Sequence, residues 1–569
     1  MNKNSIYYVK RKTSRITARN RAVALFLVTA LATWLLTSCA PVPIPTDATP
    51  TATATQPGAT TEATLVATPP VTPSPTPALP PGGSIIVGVT GNANLQVNAM
   101  PAFLQNAVFD SLLTADPTTG ALKPGLADSF QVSSDATTIT FHLRPGIHWH
   151  NGDALTADDV VATIKAFSDP KFRGTPVTDF GPLASANAPD NQTVRLTFNP
   201  AYCPALTSIG TMSILPRAVV TSANFPQLTP AQMIGTGPLK LSAQNGNAFT
   251  LTPNAEYYAG APGINSWTLK LFSDPAALQT AFAAQQIDVM PADPGQFDAI
   301  KSVSGANIFS SNAPEVVELL FNIDTTTLND GRVRQALNYA LDRNALLSDV
   351  AGQGQLIDGS TLPGFWANSG NVPHYSYDPA KAKQILADAG WTDSGAGVLR
   401  QNGKPMQIEL WTEADNPILE PLAFRIREMY AALGIDVVLQ LDDRPGWVTR
   451  AFAHRFDLLL LTRKIALDPD QRWYWQSDQN TTGSGFNFGS YANPRVDAAF
   501  NRMASANSCD PTARAGFFTD INRTLVTEAA AAFLFAPKQY LVARDRVVGP
   551  APSPFAGDFW NIGAWRVKP

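Results

Sequence analysis

Hydrophobic and polar positions change period several times along this chain, and each change marks an element. Ile139, Phe141 and Leu143 alternate with polar residues, as in a half-buried strand; Pro145 and Gly146 turn it, and Trp149 closes a second short strand before Asn151-Gly152. Thr156 then caps a helix that carries Asp158 and Asp159 in its first turn, where the dipole favours acids. Residues 188–199 read as one more alternating strand. From Leu319 to Ile323 the chain is apolar and breaks at Asp324, which predicts a buried strand. Asp330 is placed to cap the helix that follows, in which Val333, Ala336, Leu337, Ala340 and Leu341 form one apolar stripe. Beyond it, a helix between Asp378-Pro379 and Gly390, a strand at Met406–Trp411, a helix at Leu422–Leu433 and strands at Gly434–Leu439 and Leu458–Leu461 alternate as in an α/β sheet.

The ends of the chain follow other rules. Seven Lys or Arg and no acid stand in the first 38 residues, followed by an apolar run from Ala22 to Leu36 that is short for a membrane span of about 20 residues. We read residues 1–38 as a signal peptide. Residues 40–81 are nearly all Pro, Thr, Ala and Val, a composition that buries no face and makes a disordered tether. With the seven leader cations set aside, 34 basic residues face 45 acidic ones, a net charge near -11. Such a surface does not suit a nucleic-acid partner. Apart from Cys39, only Cys203 and Cys509 remain; an oxidising compartment favours a disulfide between them, two free buried thiols are the other reading, and the sequence leaves both open.

No catalytic constellation is present in the sequence. Gly483-Ser484-Gly485 lacks the frame of a nucleophile elbow, Gly235-Thr236-Gly237-Pro238 lacks the Lys of a phosphate-binding loop, and there is no HExxH or CxxC. His148 and His150 share a strand face, but no third or fourth ligand lies nearby to complete a metal site. We therefore expect no cofactor and no metal.

Wording, rather than pattern, points to a family. Phe321-Asn322, then Val333-Arg334-Gln335-Ala336, Ala340 and Asp342-Arg343 closely resemble the most diagnostic segment of the peptide and nickel type (family 5) extracellular solute-binding proteins of ABC importers. The block from Gly120 to Phe167, the Gly235–Pro238 loop, Asn254, Tyr257 and Tyr258, and Tyr491-Ala492-Asn493-Pro494 resemble the same family. Leu36-Thr37-Ser38-Cys39 resembles a bacterial lipobox, which implies cleavage before Cys39 and acylation of its thiol. The resemblance implies a two-lobed periplasmic-binding-protein-like α/β fold of the large class II type with an extra subdomain and lobes joined by hinge strands. Its parts would be the tether at 39–82, the first lobe at 83–318, the second at 319–535 and a return to the first at 536–569. It also implies a monomer without enzymatic chemistry that takes a solute, most readily an oligopeptide, between its lobes. The protein would pass that solute to a permease with its ATPase subunits while held by lipid on the outer face of the cell membrane.

One departure bears on the ligand. Peptide-binding members often carry W-x-x-D-x-x-[DE]-P after the buried strand, and the acid receives the peptide ammonium; here Thr462 stands for the Trp and Ile465 for the acid, with Arg463 and Lys464 making the segment basic. That favours a ligand with an anionic or uncharged polar end, unless Asp468 or Asp470 takes over. Trp366, Trp411, Trp447, Trp473, Trp475 and Phe486 would suit stacking on apolar side chains or on sugar rings, which keeps an oligosaccharide as the alternative. An exported hydrolase is the alternative of another class. The residues expected at the ligand are Asn92, Trp366, Trp411, Arg463, Asp468, Phe486 and Asn487, whereas Arg334, Asp342 and Arg343 are expected to be scaffold.

Overall fold

The computed structural model describes residues 82–568 except 98, 170–171, 173–179, 351–352, 369, 394 and 396. The expected leader, the lipobox Cys39 and the tether lie outside the described residues. Twelve strands share one mixed sheet. In its first half, β1 (Ser84–Thr90) begins the chain's passage through the sheet. A separate four-stranded sheet follows, made of β2 (Ala127–Val132), β3 (Thr138–Leu143), β4 (Leu183–Asp190) and β5 (Thr193–Phe198) in the order β2-β3-β5-β4. The first half then continues with β6 (Leu239–Asn245), β7 (Ala248–Pro253), β8 (Ser266–Phe272), β9 (Val289–Ala292) and β10 (Ala306–Asn312). The second half contains β11 (Glu315–Phe321), β12 (Gly354–Leu356), β13 (Gln407–Glu413), β14 (Asp436–Asp442) and β15 (Leu458–Lys464). The last long strand, β16 (Ala531–Arg544), belongs to both halves.

The order across the sheet is β14-β13-β15-β11-β16-β9-β1-β8-β7-β6, with β10 and β12 also on β16. Strand β16 pairs with β11 and β12 over its first residues and with β10 and β9 from Lys538 to Arg544. β10 runs into β11 through Ala313-Pro314, and the Ala313 amide donates to Pro537 O at 2.7 Å. Two antiparallel chain segments thus cross between the lobes side by side, each with a proline that removes a ladder donor.

On β11, successive side chains point to opposite faces. Val317, Leu319 and Phe321 enter a core with Leu337, Ile426 and Leu460, while Val316 and Leu320 enter another with Phe500, Phe518 and Leu461. Between those last two, on the same face, stands Glu318.

The sequence places most elements, with four corrections. The helix read after Asp330 stops at Tyr339 instead of running on through Leu341, the strand read at 188–199 is a hairpin, β4 and β5, that turns at Asn191-Gln192, the strand read at 319–323 spans Glu315–Phe321, and the short strand read at Trp149 is a single bridge between His148 and Ala154. Helices α1 (Ala157–Ser168), α2 (Pro204–Gly210), α3 (Gly331–Tyr339) and α4 (Arg343–Asp349) belong to the scaffold. Asp330 caps α3 by accepting from the Arg332 amide, and Asp342 starts α4 afresh by accepting from the Ala345 amide. The apolar stripe through Ala340 and Leu341 is therefore continuous while the helix is not. Arg334 donates to Ala529 O and Glu528 O, and Arg343 to Phe533 O. Both arginines secure their helices to the start of β16 and its approach.

The Gly235–Pro238 loop is also scaffold. A Cβ on Gly235 would lie 1.7 Å from Val108 O, so only glycine permits the loop to press on that backbone. Thr236 and Tyr257 donate to Asp110, whose carboxyl burial pushes up to about 6. His150 sits against the same loop, with Nε2 2.9 Å from Gly237 O and the Gly235 amide donating to Nδ1 at 3.3 Å; burial lowers its pKa to about 4.

Candidate ligand cleft

A cleft of about 730 Å³ opens where the crossing strands meet the second lobe. Its floor includes Pro314, Pro537 and Lys538; Asp293 and Gly295 border it from the first lobe, and the ends of β11 and β15 form much of the opposite wall. The β16 ladder slips by one residue between Val317 and Glu318, a bulge next to the charged group of that wall.

Glu318 is the buried acid of that wall and Arg463 its partner. Their side chains are 1% and 3% exposed, and the guanidinium donates from Nε and Nη2 to the two carboxylate oxygens at 2.8 and 2.9 Å. Nη2 also donates to Ser360 O, which accepts from Gln471 Nε2 as well. The guanidinium lies 5.1 Å from the Tyr474 ring centre and 5.8 Å from that of Trp475. Charges this deep persist only when paired and hydrogen-bonded. The expectation of a basic segment is corrected here, because Glu318, 145 residues away in the chain, takes up the charge of Arg463. Lys464 stands across the ladder from Glu315, and Arg444 donates to Glu413 at 3.2 Å.

Phe486 stands in the cleft with 45% of its surface exposed. Phe452, Phe488 and Tyr474 hold its ring at centroid distances of 5.5, 6.1 and 6.4 Å. Asn487, fully buried, donates to Gln476 O and Tyr491 O and accepts from the Tyr491 amide, so it fixes the turn that presents Phe486 and Phe488.

The other expected contacts lie elsewhere. Trp411 is buried beneath the guanidinium of Arg450, 3.4 Å away, and donates to Glu409. Trp366 donates to Leu467 O. Asp468 is taken by Arg514 and Thr207, and Asn92 is exposed in the loop after β1. Of the seven, Arg463 and Phe486 line the cleft. Sequence reasoning missed Glu318, Glu413, Tyr474, Phe488 and Lys538. For Glu318 there was a signal: one acid inside the apolar run Val316-Val317-Glu318-Leu319-Leu320 needs a buried partner.

A cavity of about 250 Å³ on the first-lobe side shares Asp293 with the cleft and contains Asp558. The Asp558 carboxylate accepts from Gln539 Nε2 at 3.1 Å, and burial pushes its pKa up to about 6. Cys203 and Cys509 are joined as a disulfide.

The model of the bacterial extracellular solute-binding proteins, family 5 middle, matches residues 121–485. The chain belongs to this family. The oligopeptide-binding protein AppA of Bacillus subtilis is 25% identical over 505 residues, covering 85% of this chain and 91% of that one. The nickel-binding periplasmic protein of Escherichia coli is 26% identical over 462 residues, covering 77% and 84%. Among solved structures, NikZ of Campylobacter jejuni, in complex with Ni(L-His), superposes with a TM-score of 0.69 at 25% identity, over 85% of this chain and 99% of that one. AppA of Bacillus subtilis, in complex with a nonapeptide, shares the fold with a TM-score of 0.66 at 24% identity, over 86% and 100%. As a family 5 protein, the chain is the solute-binding component of an ABC importer, and the fold is the two-lobed, mixed α/β one of that family.

Proposed function

We propose that this family 5 protein captures an oligopeptide, in extended form, between its lobes and delivers it to a membrane permease without changing it. The edge of β15 is the observation that carries the peptide reading. β13 pairs with β15 at Leu410–Leu458 and Trp411–Leu459, and that ladder goes no further. Leu461 to Lys464 continue into the cleft wall with their β11 side paired. An extended peptide is the ligand that can add to such an edge, with main-chain hydrogen bonds giving affinity and alternate side chains giving specificity. The cleft volume lies within the range of sites that enclose small organic ligands, about 300–1,000 Å³. The oligopeptide-binding relative supports the same reading.

The basic and apolar leader ending in Leu36-Thr37-Ser38-Cys39 supports export, with lipid on Cys39 anchoring a monomer to the outer face of the membrane through the tether. Thermal melts of the purified protein with tri- to pentapeptides, oligosaccharides, small anions and nickel(II)-histidine test the ligand class. Peptide at a hundred times its Kd adds about 2.7 kcal/mol of stability and is recovered intact. A shift with oligosaccharides alone refutes the peptide reading, and recovery of cleaved peptide refutes the passive one.

A further inference from the structure

The cleft wall built by the second lobe combines two properties. Its aromatic surface is open, and its most deeply buried charges, Glu318 and Arg463, are paired with each other. Phe486 is held by neighbouring rings from more than one side and still leaves nearly half its surface, 45%, to solvent. Trp447, Tyr474 and Phe488 line the same cleft. A ring fixed in that way needs no reordering to accept an apolar group, so the usual entropic cost of forming a contact is small. Around it, both oxygens of Glu318 accept from Arg463, Arg444 lies on Glu413, and Lys464 faces Glu315 across the ladder.

We propose, resting on the peptide reading, that Phe486 with Trp447, Tyr474 and Phe488 is a specificity subsite for one bulky, uncharged, apolar side chain of the bound peptide. A charged side chain placed against these rings gives up its hydration. Burial of a Phe or Leu side chain uses what the wall does offer.

Calorimetric titration of the full-length protein with pentapeptides of alanine, in which Phe, Leu, Ser, Lys or Asp replaces each position in turn, tests the subsite. At one position Phe and Leu bind about tenfold to a hundredfold tighter than Ser, Lys or Asp. Phe486→Ala brings the Phe-to-Ser ratio at that position towards one, while Phe486→Leu, which keeps an apolar surface, retains a clear preference; thermal melts confirm that both variants fold. Peptide binding that is indifferent to the substituent at every position overturns the subsite and leaves the peptide reading standing. The same holds if Phe486→Ala weakens all peptides equally. Failure of every peptide to bind overturns both.

Discussion

Two arginines of the second lobe are buried against carboxylates, Arg463 on Glu318 and Arg514 on Asp468, and what surrounds them differs. The first pair joins neighbouring strands on the cleft face of the sheet, among Tyr474 and Trp475. The second lies where the second lobe meets the segment around α2: Arg514 reaches Asp468 at 2.6 and 2.9 Å, and Thr207, on α2, donates to the same carboxylate at 3.0 Å. A few residues away the Cys203 amide donates to Ala504 O at 2.7 Å, and the Cys203–Cys509 disulfide closes the junction. One pair lies in the wall of the cleft; the other helps hold two parts of the fold together. The same chemistry takes its meaning from its neighbours, so neither a buried arginine nor a buried aspartate after a hydrophobic strand identifies a ligand contact.

Removal of one member of the cleft pair has the largest expected effect. Arg463→Ala leaves Glu318 buried without a counter-charge and lowers unfolding free energy by about 3–5 kcal/mol, read by denaturant melts. If the pair serves the cleft and not stability, Glu318→Leu with Arg463→Met restores most of that loss while ligand affinity stays changed. Next, Cys203→Ser with Cys509→Ser lowers stability by about 2–5 kcal/mol, and reductant produces the same drop in the parent protein but none in the variant. A non-reducing peptide map without a linked Cys203–Cys509 fragment would remove the basis of this prediction. Asp468→Asn, which weakens the junction pair and keeps the shape, costs about 1–3 kcal/mol. It leaves peptide affinity within about twofold, since the junction lies outside the cleft wall; a large loss of affinity would erase the distinction between the two pairs.

The smallest effect concerns a carboxylate with no arginine at all. Asp558 has Gln539 as its partner, and its pKa is raised from 3.8 to about 6 by burial. The folded protein therefore holds this proton more tightly than the unfolded chain does. Its contribution favours the fold at low pH and is lost as pH rises from about 4 to about 6, where ionisation becomes a burden to the native state. Asp558→Asn is thus slightly more stable than the parent at pH 7 and indistinguishable from it near pH 4, as melts across that range would reveal.

How much of this was legible depended on whether the relevant partner was close in the chain. The last residues of β11, the Asp330 cap and the Asp378-Pro379 start of a helix are local, and the periods and caps announced them. The second cap at Asp342 was also local, yet the apolar stripe of Val333 to Leu341 runs on past the break and masked it. Arg463 looked like a free cation because Glu318 is 145 positions away, and Asp468 looked like a ligand contact because Arg514 and Thr207 lie 46 and 261 positions off. Family wording identified the fold; it did not reveal which charges had already found each other. Phe486 was recognisable as an aromatic residue, but only the packing of Phe452, Phe488 and Tyr474 distinguishes it from Trp411, which the core has covered.

Strand β16 has a consequence for how the molecule is made. It lies between β11 of one lobe and β9 of the other, yet it comes after nearly the entire second lobe in sequence. During synthesis the first lobe therefore waits with an open seam beside β9 until residues 531–544 have emerged. A chain stopped short of Ala531 contains almost all of the residues of both lobes and lacks the one strand that lies between them.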